Sequence, residues 1–350
     1  MKRVLTISIW LISLQLMAQH SDQPKELLKN SIHFQLGVSV NPKLLQENSA
    51  YREIVRSEFN SITAENHMKM VHLHPEANRF DFQKADELVE FAQKNQMRVH
   101  GHTLVWHNQV PKWMNEFNGD QTAWENLLKN HIQTIVSHFK GKVEGWDVVN
   151  EAFLDNGELR PTIWSNHIPD YLAKCFEWAH EADPASILFY NDYGQDGHPK
   201  KLEAILMLVE TLKKRQIPIH GLGLQMHIST QSSPDKLSHS IKKSVDTGLK
   251  IHFSELDIAV NPKNDSMFVY DEAQKSKQLA SFEFIFKAYQ AIPKTQQYGL
   301  TFWNVSDKDS WLRSFFKRPK EYPLLFDELY QVKSIYPQLV NQLNKILLTN

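Results

Sequence analysis

The feature that most constrains this chain is an alternation repeated eight times: a short β-branched or aromatic run, then a longer stretch with apolar residues at three- and four-residue spacing. The short runs are FQLGVSV from Phe34, SITAEN from Ser61, RVHGHTLVW from Arg98, VEGWDVVNEA from Val143, SILFYNDY from Ser186, GLGLQMH from Gly221, KIHFSELDIAV from Lys250 and YGLTFWNVSD from Tyr298. Helical patterns such as FQKADELVEFAQKNQ, TAWENLLKNHIQTIVSHF, KLEAILMLVETLKKRQ and QLASFEFIFKAYQ lie between them. Strands joined through helices pair in parallel, and eight such units predict a single α/β domain, a (β/α)8 TIM barrel, over residues 30–348. An open doubly wound sheet is the alternative, weakened because no GxGxxG loop follows the first strand.

The chain's 350 residues, 41% of them hydrophobic, suffice for a large core. A formal net charge of −1 gives no electrostatic grip on nucleic acid or acidic membranes, so neither is an expected partner. Residues 1–19 read as an export signal: Lys2 and Arg3, an apolar stretch from Val4 to Met17, then the small Ala18. That stretch falls short of the roughly 20 residues needed to span a bilayer. The expectation is a periplasmic or extracellular protein, monomeric and without stable membrane association once the signal is removed. The single Cys175 cannot form an internal disulfide and is expected to pack inside a helix.

In such a barrel, functional side chains belong at the C-terminal ends of the strands. Polar residues collect there: Glu65 and Asn66, His102, Asn150 and Glu151, Asn191 and Asp192, Gln225 and His227, Glu255 and Asp257, Asn304 and Asp307. A carboxylate ending a buried strand needs a partner or a purpose. Glu151 and Glu255, remote in sequence, would face each other across the mouth, and two opposed carboxylates are the minimum equipment for glycoside hydrolysis. Either could instead be a structural ion-pair partner.

Alternate residues on a strand share a face, so Glu255 and Asp257 point together, as do Gln225 and His227 on the neighbouring strand. His227 could then bridge Glu255 and Asp257 and keep Glu255 ionised. Asn150 and Glu151 are adjacent, so both can serve one ligand only if the strand bends or stops between them. His102 and Trp106 share parity, and Trp303 and Trp311 follow the eighth strand. Indole faces suit the apolar faces of pyranose rings. Trp124 and Trp178 are expected to pack in the core.

The blocks HGHTLVWHNQVPKW, WDVVNEAF, GLQMH, FSELDI and TFWNVSDKDSW, with TAENHMK around Glu65, resemble the signatures of glycoside hydrolase family 10, the retaining endo-β-1,4-xylanases. The resemblance runs from about Phe34 to PLLFDELYQVK. It implies Glu151 as acid/base, Glu255 as nucleophile supported by His227 and Asp257, and Asn150 on the 2-hydroxyl of the reacting sugar. It further implies that His102, Trp106, Gln225 and His227 surround that sugar, that Glu65, Asn66 and Lys69 hold the next one, and that Trp303 and Trp311 roof the cleft. Gln109, within the HGHTLVWHNQ block, is counted with the substrate-binding residues. Ala64, His67 and Met70 depart from the common pattern, where Pro, a varied residue and Trp occur.

The expected activity is hydrolysis of internal β-1,4-xylosidic bonds of xylan or xylo-oligosaccharides with retention, without cofactor or metal. An alternative keeps the mechanism but favours short xylo-oligosaccharides or other β-1,4-glycans. Two rivals of other classes are a metal-dependent hydrolase, prompted by HLH at His72 to His74 and HGH at His100 to His102, and a non-catalytic sugar-binding protein.

Overall fold

A computed structural model describes residues 26–347, and the leader expected over residues 1–19 lies outside the described residues. The strands are β1 (Leu36–Val40), β2 (Ser61–Ala64), β3 (Arg98–Val105), β4 (Gly145–Asn150), β5 (Ile187–Asp192), β6 (Gly221–Leu224), β7 (His227–Ser229), β8 (Lys250–Ala259) and β9 (Gln297–Phe302). All pair in parallel; β6 joins β8 and β1 joins β9, which closes the ring. β6 and β7 are two pieces of one stave, so the described residues form a barrel of eight staves with helices between them. GLGLQMH therefore differs from the single strand expected. Met226 takes a left-handed φ of +58°, and beyond it the chain pairs with β8 alone, His227 opposite Asp257.

The helices begin where the sequence supplies caps. Asp120 Oδ1 accepts the amide of Ala123 at the head of Gln121–His138, and Asp271 Oδ1 accepts that of Gln274 at the head of Glu272–Gln290. Each such cap contributes about 1 kcal/mol. Leu128, Ile132 and Ile135 of the first helix are fully buried, as the spacing of its apolar residues requires. Cys175 is buried in the helix Tyr171–Ala182, and Trp124 and Trp178 pack in the core, as expected. Among the described residues no helix is long and apolar enough to cross a membrane.

The lower half of the barrel is closed by rings. Phe189 and Tyr298 lie 4.5 Å apart between centroids, and His252 lies 5.1 Å from Tyr298. Arg98 sits 3.9 Å from the Tyr298 ring centroid and donates from Nη1 to the Tyr298 carbonyl at 2.6 Å. These rings fill the barrel interior beneath the C-terminal mouth.

Gly101 in β3 exists for the neighbouring stave's indole, since a Cβ there would lie 2.1 Å from Trp146 Cε3. Trp146 is fully buried and cannot withdraw without opening a void. Gly101→Ala is expected to cost about 1–3 kcal/mol as overpacking, read as a lower urea midpoint at unchanged slope. An unchanged midpoint would mean that the indole has room to yield.

Candidate active site

Glu255 is only 5% exposed near the top of β8, and its carboxylate is held from several sides. His227 Nε2 lies 3.2 Å from Glu255 Oε2, and its Nδ1 lies 2.9 Å from Asp257 Oδ2, so one imidazole bridges both acids as expected. Asn191 Nδ2 donates to Glu255 Oε1 at 2.8 Å, and His102 Nδ1 is 4.0 Å from the same oxygen. Burial alone would raise the Glu255 pKa, but His102 and the charge and hydrogen bond of His227 outweigh it and hold the carboxyl below its ordinary range. Burial likewise works against a charged His227, yet Asp257 and Glu255 overcome it and raise the imidazole pKa well above the ordinary range. His227 is thus held in its cationic form and donates to both carboxyl groups.

A second imidazole and carboxylate unit lies beneath. His102 Nδ1 donates to Asp147 Oδ2 at 2.9 Å, while His100 Nε2 lies 3.0 Å from Asp147 Oδ1. Burial disfavours the Asp147 charge, but the two histidines reverse this and hold its pKa well below the ordinary range.

Glu151 satisfies the condition set by its adjacency to Asn150. β4 ends at Asn150, and Glu151 has a left-handed φ of +57°, so the chain turns and both side chains enter the mouth. Three main-chain bonds hold the turn: Glu151 N–H to the Asn191 carbonyl at 2.9 Å, Arg160 Nε to the Glu151 carbonyl at 3.0 Å, and Ala152 N–H to the Tyr190 hydroxyl at 3.0 Å. Trp106 Nε1 donates to Glu151 Oε2 at 2.9 Å, and Gln225 Nε2 and Asn150 Nδ2 donate to Oε1 at 3.0 and 3.2 Å. Asn191 Nδ2 also reaches Asn150 Oδ1 at 2.9 Å, so amides link the Glu151 and Glu255 sides of the mouth.

Lys69 forms one wall. It is 6% exposed, bonds Asn66 Oδ1 at 3.1 Å, and lies 5.0 and 5.8 Å from the ring centroids of Trp106 and Trp303. Burial lowers its pKa, against the pull of Glu255, Glu65 and Glu151. Burial raises the pKa of Glu65, partly offset by a hydrogen bond with Asn304 and the charge of Lys69. Gln109 Nε2 donates to Asn66 Oδ1 at 3.3 Å. Trp303 lies 5.2 Å from the His102 ring, and Trp311 Nε1 donates to Asp257 Oδ2 at 2.6 Å.

All the site residues expected from the sequence therefore meet at one mouth, but two parity arguments do not hold as stated. Gln225 and His227 flank the left-handed Met226 and lie on no common strand. His102 and Trp106 are separated by a shift in the pairing of β3 with β4, and β3 ends at Val105. In both cases packing, not strand alternation, aims the side chains. Asp192, at the end of β5, and Asp307, in the turn five residues beyond β9 rather than at the strand end expected, serve structure. Lys201, with no exposed side-chain surface, lies 2.8 Å from Asp192, and Lys333 bonds Asp307 at 3.1 Å.

The two histidine pairs turn to different neighbours. His100 and His102 share Asp147, His72 stacks on His67 at 4.8 Å, and His74 stacks on Phe80 at 3.9 Å. Among the described residues no group of three or more His, Cys, Asp or Glu is placed to hold a metal ion. The departures Ala64 and Met70 are buried.

Asp147 and Arg160 escape the sequence reading, and Asn191, placed at the mouth by that reading, is not recognised there as a link between the two acids. Asn191 stands in register with Asn150, a signal that strand height could have supplied. Its place depends on Gly223, where a Cβ would lie 2.1 Å from Asn191 Oδ1. Asp147 is a lone acid inside an apolar strand, a visible anomaly. Arg160 acts through the main chain and leaves no mark in the pattern.

A closed parallel barrel whose mouth brings two carboxylates into one hydrogen-bonded network beside indole rings is the architecture of a glycoside hydrolase. The family model of glycosyl hydrolase family 10 matches residues 25–342, and the chain belongs to that family. It is 37% identical to endo-1,4-beta-xylanase B of Thermotoga neapolitana over 90% of both chains, and 37% identical to a beta-1,4-xylanase of Dictyoglomus thermophilum over 96% of both. It is 40% identical to exoglucanase XynX of Acetivibrio thermocellus, of which it spans 28%. Native xylanase 10B of Thermotoga maritima superposes with a TM-score of 0.85 at 37% identity, covering 92% of this chain and 98% of that one.

The raised His227 pKa makes stability depend on pH. An unfolded histidine titrates near 6.5, so the stabilisation is complete below about pH 6.5 and is lost as the pH rises through the higher folded value. The unfolding free-energy difference between wild type and His227→Gln should therefore be larger at about pH 6 than at about pH 9 by urea titration. A difference that stays constant would show that the His227 pKa is the same in the folded and unfolded protein.

Proposed function

We propose that the protein is an endo-1,4-β-xylanase that cleaves internal bonds of xylan by double displacement with retention. The observation that carries this reading is the contrast between two carboxylates in one network. Glu255 is held low and ionised beside the His227 cation, whereas the hydrogen-bond partners of Glu151 are the neutral Trp106, Gln225 and Asn150. Glu255 attacks the anomeric carbon while Glu151 protonates the departing oxygen. Water activated by Glu151 then releases the sugar from the ester. Glu151 gives its proton to the leaving oxygen in the first step and takes one from the attacking water in the second, so one group serves as acid and then as base.

Asn150 takes the 2-hydroxyl of the reacting sugar, with His102, Trp106 and Gln225 around it. Glu65, Asn66, Lys69 and Gln109 hold the neighbouring unit under Trp303 and Trp311. Solved relatives support a xylo-oligosaccharide ligand: xylanase 10B of Thermotoga petrophila was crystallised with xylobiose, and it shares 36% identity and a TM-score of 0.83 with this chain. The exoglucanase name of one relative favours, as a second reading, additional action on other β-1,4-glycans. Product profiling on xylan, xylo-oligosaccharides and cellulose separates the two. We further propose export by the leader and action as a monomer, checked by cell fractionation and light scattering.

Glu255→Ala should abolish turnover of natural and activated substrates. Glu151→Ala should retain hydrolysis of aryl glycosides whose leaving group needs no proton while losing about 10²- to 10⁴-fold on xylan. Steady-state kinetics on both substrate types, with the product anomer followed by NMR, test this. Equal losses on the two types, or inverted product, would remove the assignment.

A further inference from the structure

Beyond the last stave the chain reads RSFFKRPK, Arg313 to Lys320, with four cations and no acid in eight residues of a protein whose overall charge is close to zero. The segment follows Trp311 in the connection that leaves the barrel mouth, and Trp311 is itself bonded to Asp257, the partner of His227. Phe315 is 72% exposed and Phe316 43%, although both are large apolar rings. They continue the aromatic surface of Trp311. Phe315 lies 6.4 Å from the indole at an interplanar angle of 28°, and Phe316 lies 4.9 Å from it. Exposed aromatic rings that adjoin a polar-rimmed cleft mark a surface for a ligand.

The cations divide into two sets. Arg313 is tied to Glu328 and to the Pro319 carbonyl, and Lys320 Nζ donates to the Ser266 carbonyl at 2.6 Å, so these two brace the loop. Lys317 is exposed, has a left-handed φ of +56°, and makes no ion pair among the described residues. Arg318 lies 5.0 Å from the Phe316 ring centroid, and the nearby Glu321 is buried, accepting the amides of Val260 and Asn261. A non-glycine residue held at positive φ in a rim loop is the kind of local strain kept where side-chain placement matters.

We propose that Phe315, Phe316, Lys317 and Arg318 form an accessory binding rim that receives an anionic branch of the polysaccharide, a uronate sugar whose ring meets the phenyl faces and whose carboxylate meets the two cations. This inference rests on the xylanase reading above and specifies which form of the substrate the cleft prefers. A neutral branch would use the rings and leave Lys317 without a counter-charge, with only the buried Glu321 carboxylate near Arg318. An exposed pairing of this kind weakens with salt.

The test compares uronate-branched xylan with the same polymer after chemical reduction of its carboxyl groups, using the exported chain. Wild type should show the higher kcat/KM on the uronate form, with the preference fading between low and high salt. Lys317→Glu combined with Arg318→Glu should lower the ratio of the two kcat/KM values by about three- to tenfold, the size expected of two exposed ion pairs. Phe315→Ser combined with Phe316→Ser should raise KM on both polymers. A ratio unmoved by charge reversal would overturn the proposal. Affinity electrophoresis of the Glu255→Ala protein in gels containing uronate-branched xylan reads binding without turnover, so loss of the xylanase reading and loss of the rim are distinguishable. Equal retardation by polygalacturonate, which lacks the xylan backbone, would also overturn it.

Discussion

The mouth of this barrel depends on keeping a carboxylate charged where water is almost absent. Glu255 is nearly buried, and an unpartnered ionised carboxylate there would cost several kcal/mol. The cation on His227 answers that cost, and Asp257 favours the cation by accepting the hydrogen bond of its second N–H. Trp311 in turn bonds Asp257, so the segment that follows β9 is fastened to the electrostatic support of the Glu255 carboxylate. The His102 and Asp147 pair repeats the arrangement one layer below. Each acid keeps more than one partner, so these contacts form one connected network.

Around that centre, the barrel uses backbone irregularity to aim side chains that regular strands would misdirect. Glu151 follows Asn150 directly, and only the left-handed turn lets both enter the same space. Arg160, Tyr190 and the Asn191 carbonyl hold that turn through the main chain. The break at Met226 does the same for His227, which faces Asp257 from a short separate strand. The first departure sits at the C-terminal end of β4, and the second interrupts a stave between β6 and β7, so each re-aims a side chain where regular pairing is broken.

Much of this was legible beforehand. The eight apolar runs and the amphipathic stretches between them specified a closed barrel, because buried parallel strands need helices on their outer face. Glu151, Glu255, His227 and Asp257 stood out because polar groups interrupt apolar runs at strand ends. Asn191 was visible as polar but not as the amide joining Glu255 to Asn150, since that depends on strand register and on the space left by Gly223. Arg160 was hidden altogether, because a side chain that bonds carbonyls needs no particular neighbour in sequence. Asp192 and Asp307 looked functional by position but are paired with Lys201, from the helix that follows β5, and with Lys333, 26 residues further along the chain.

The order of elements, the parallel barrel and the identity of the two opposed acids were determined by the sequence alone, because periodicity and burial are local properties that residue type encodes directly. Which groups touch which acid was decided by the tertiary structure. Hydrogen bonds of about 3 Å between residues scores of positions apart depend on register, on left-handed turns and on where a missing Cβ leaves room. Those are relations between strands, and no single stretch of chain contains them.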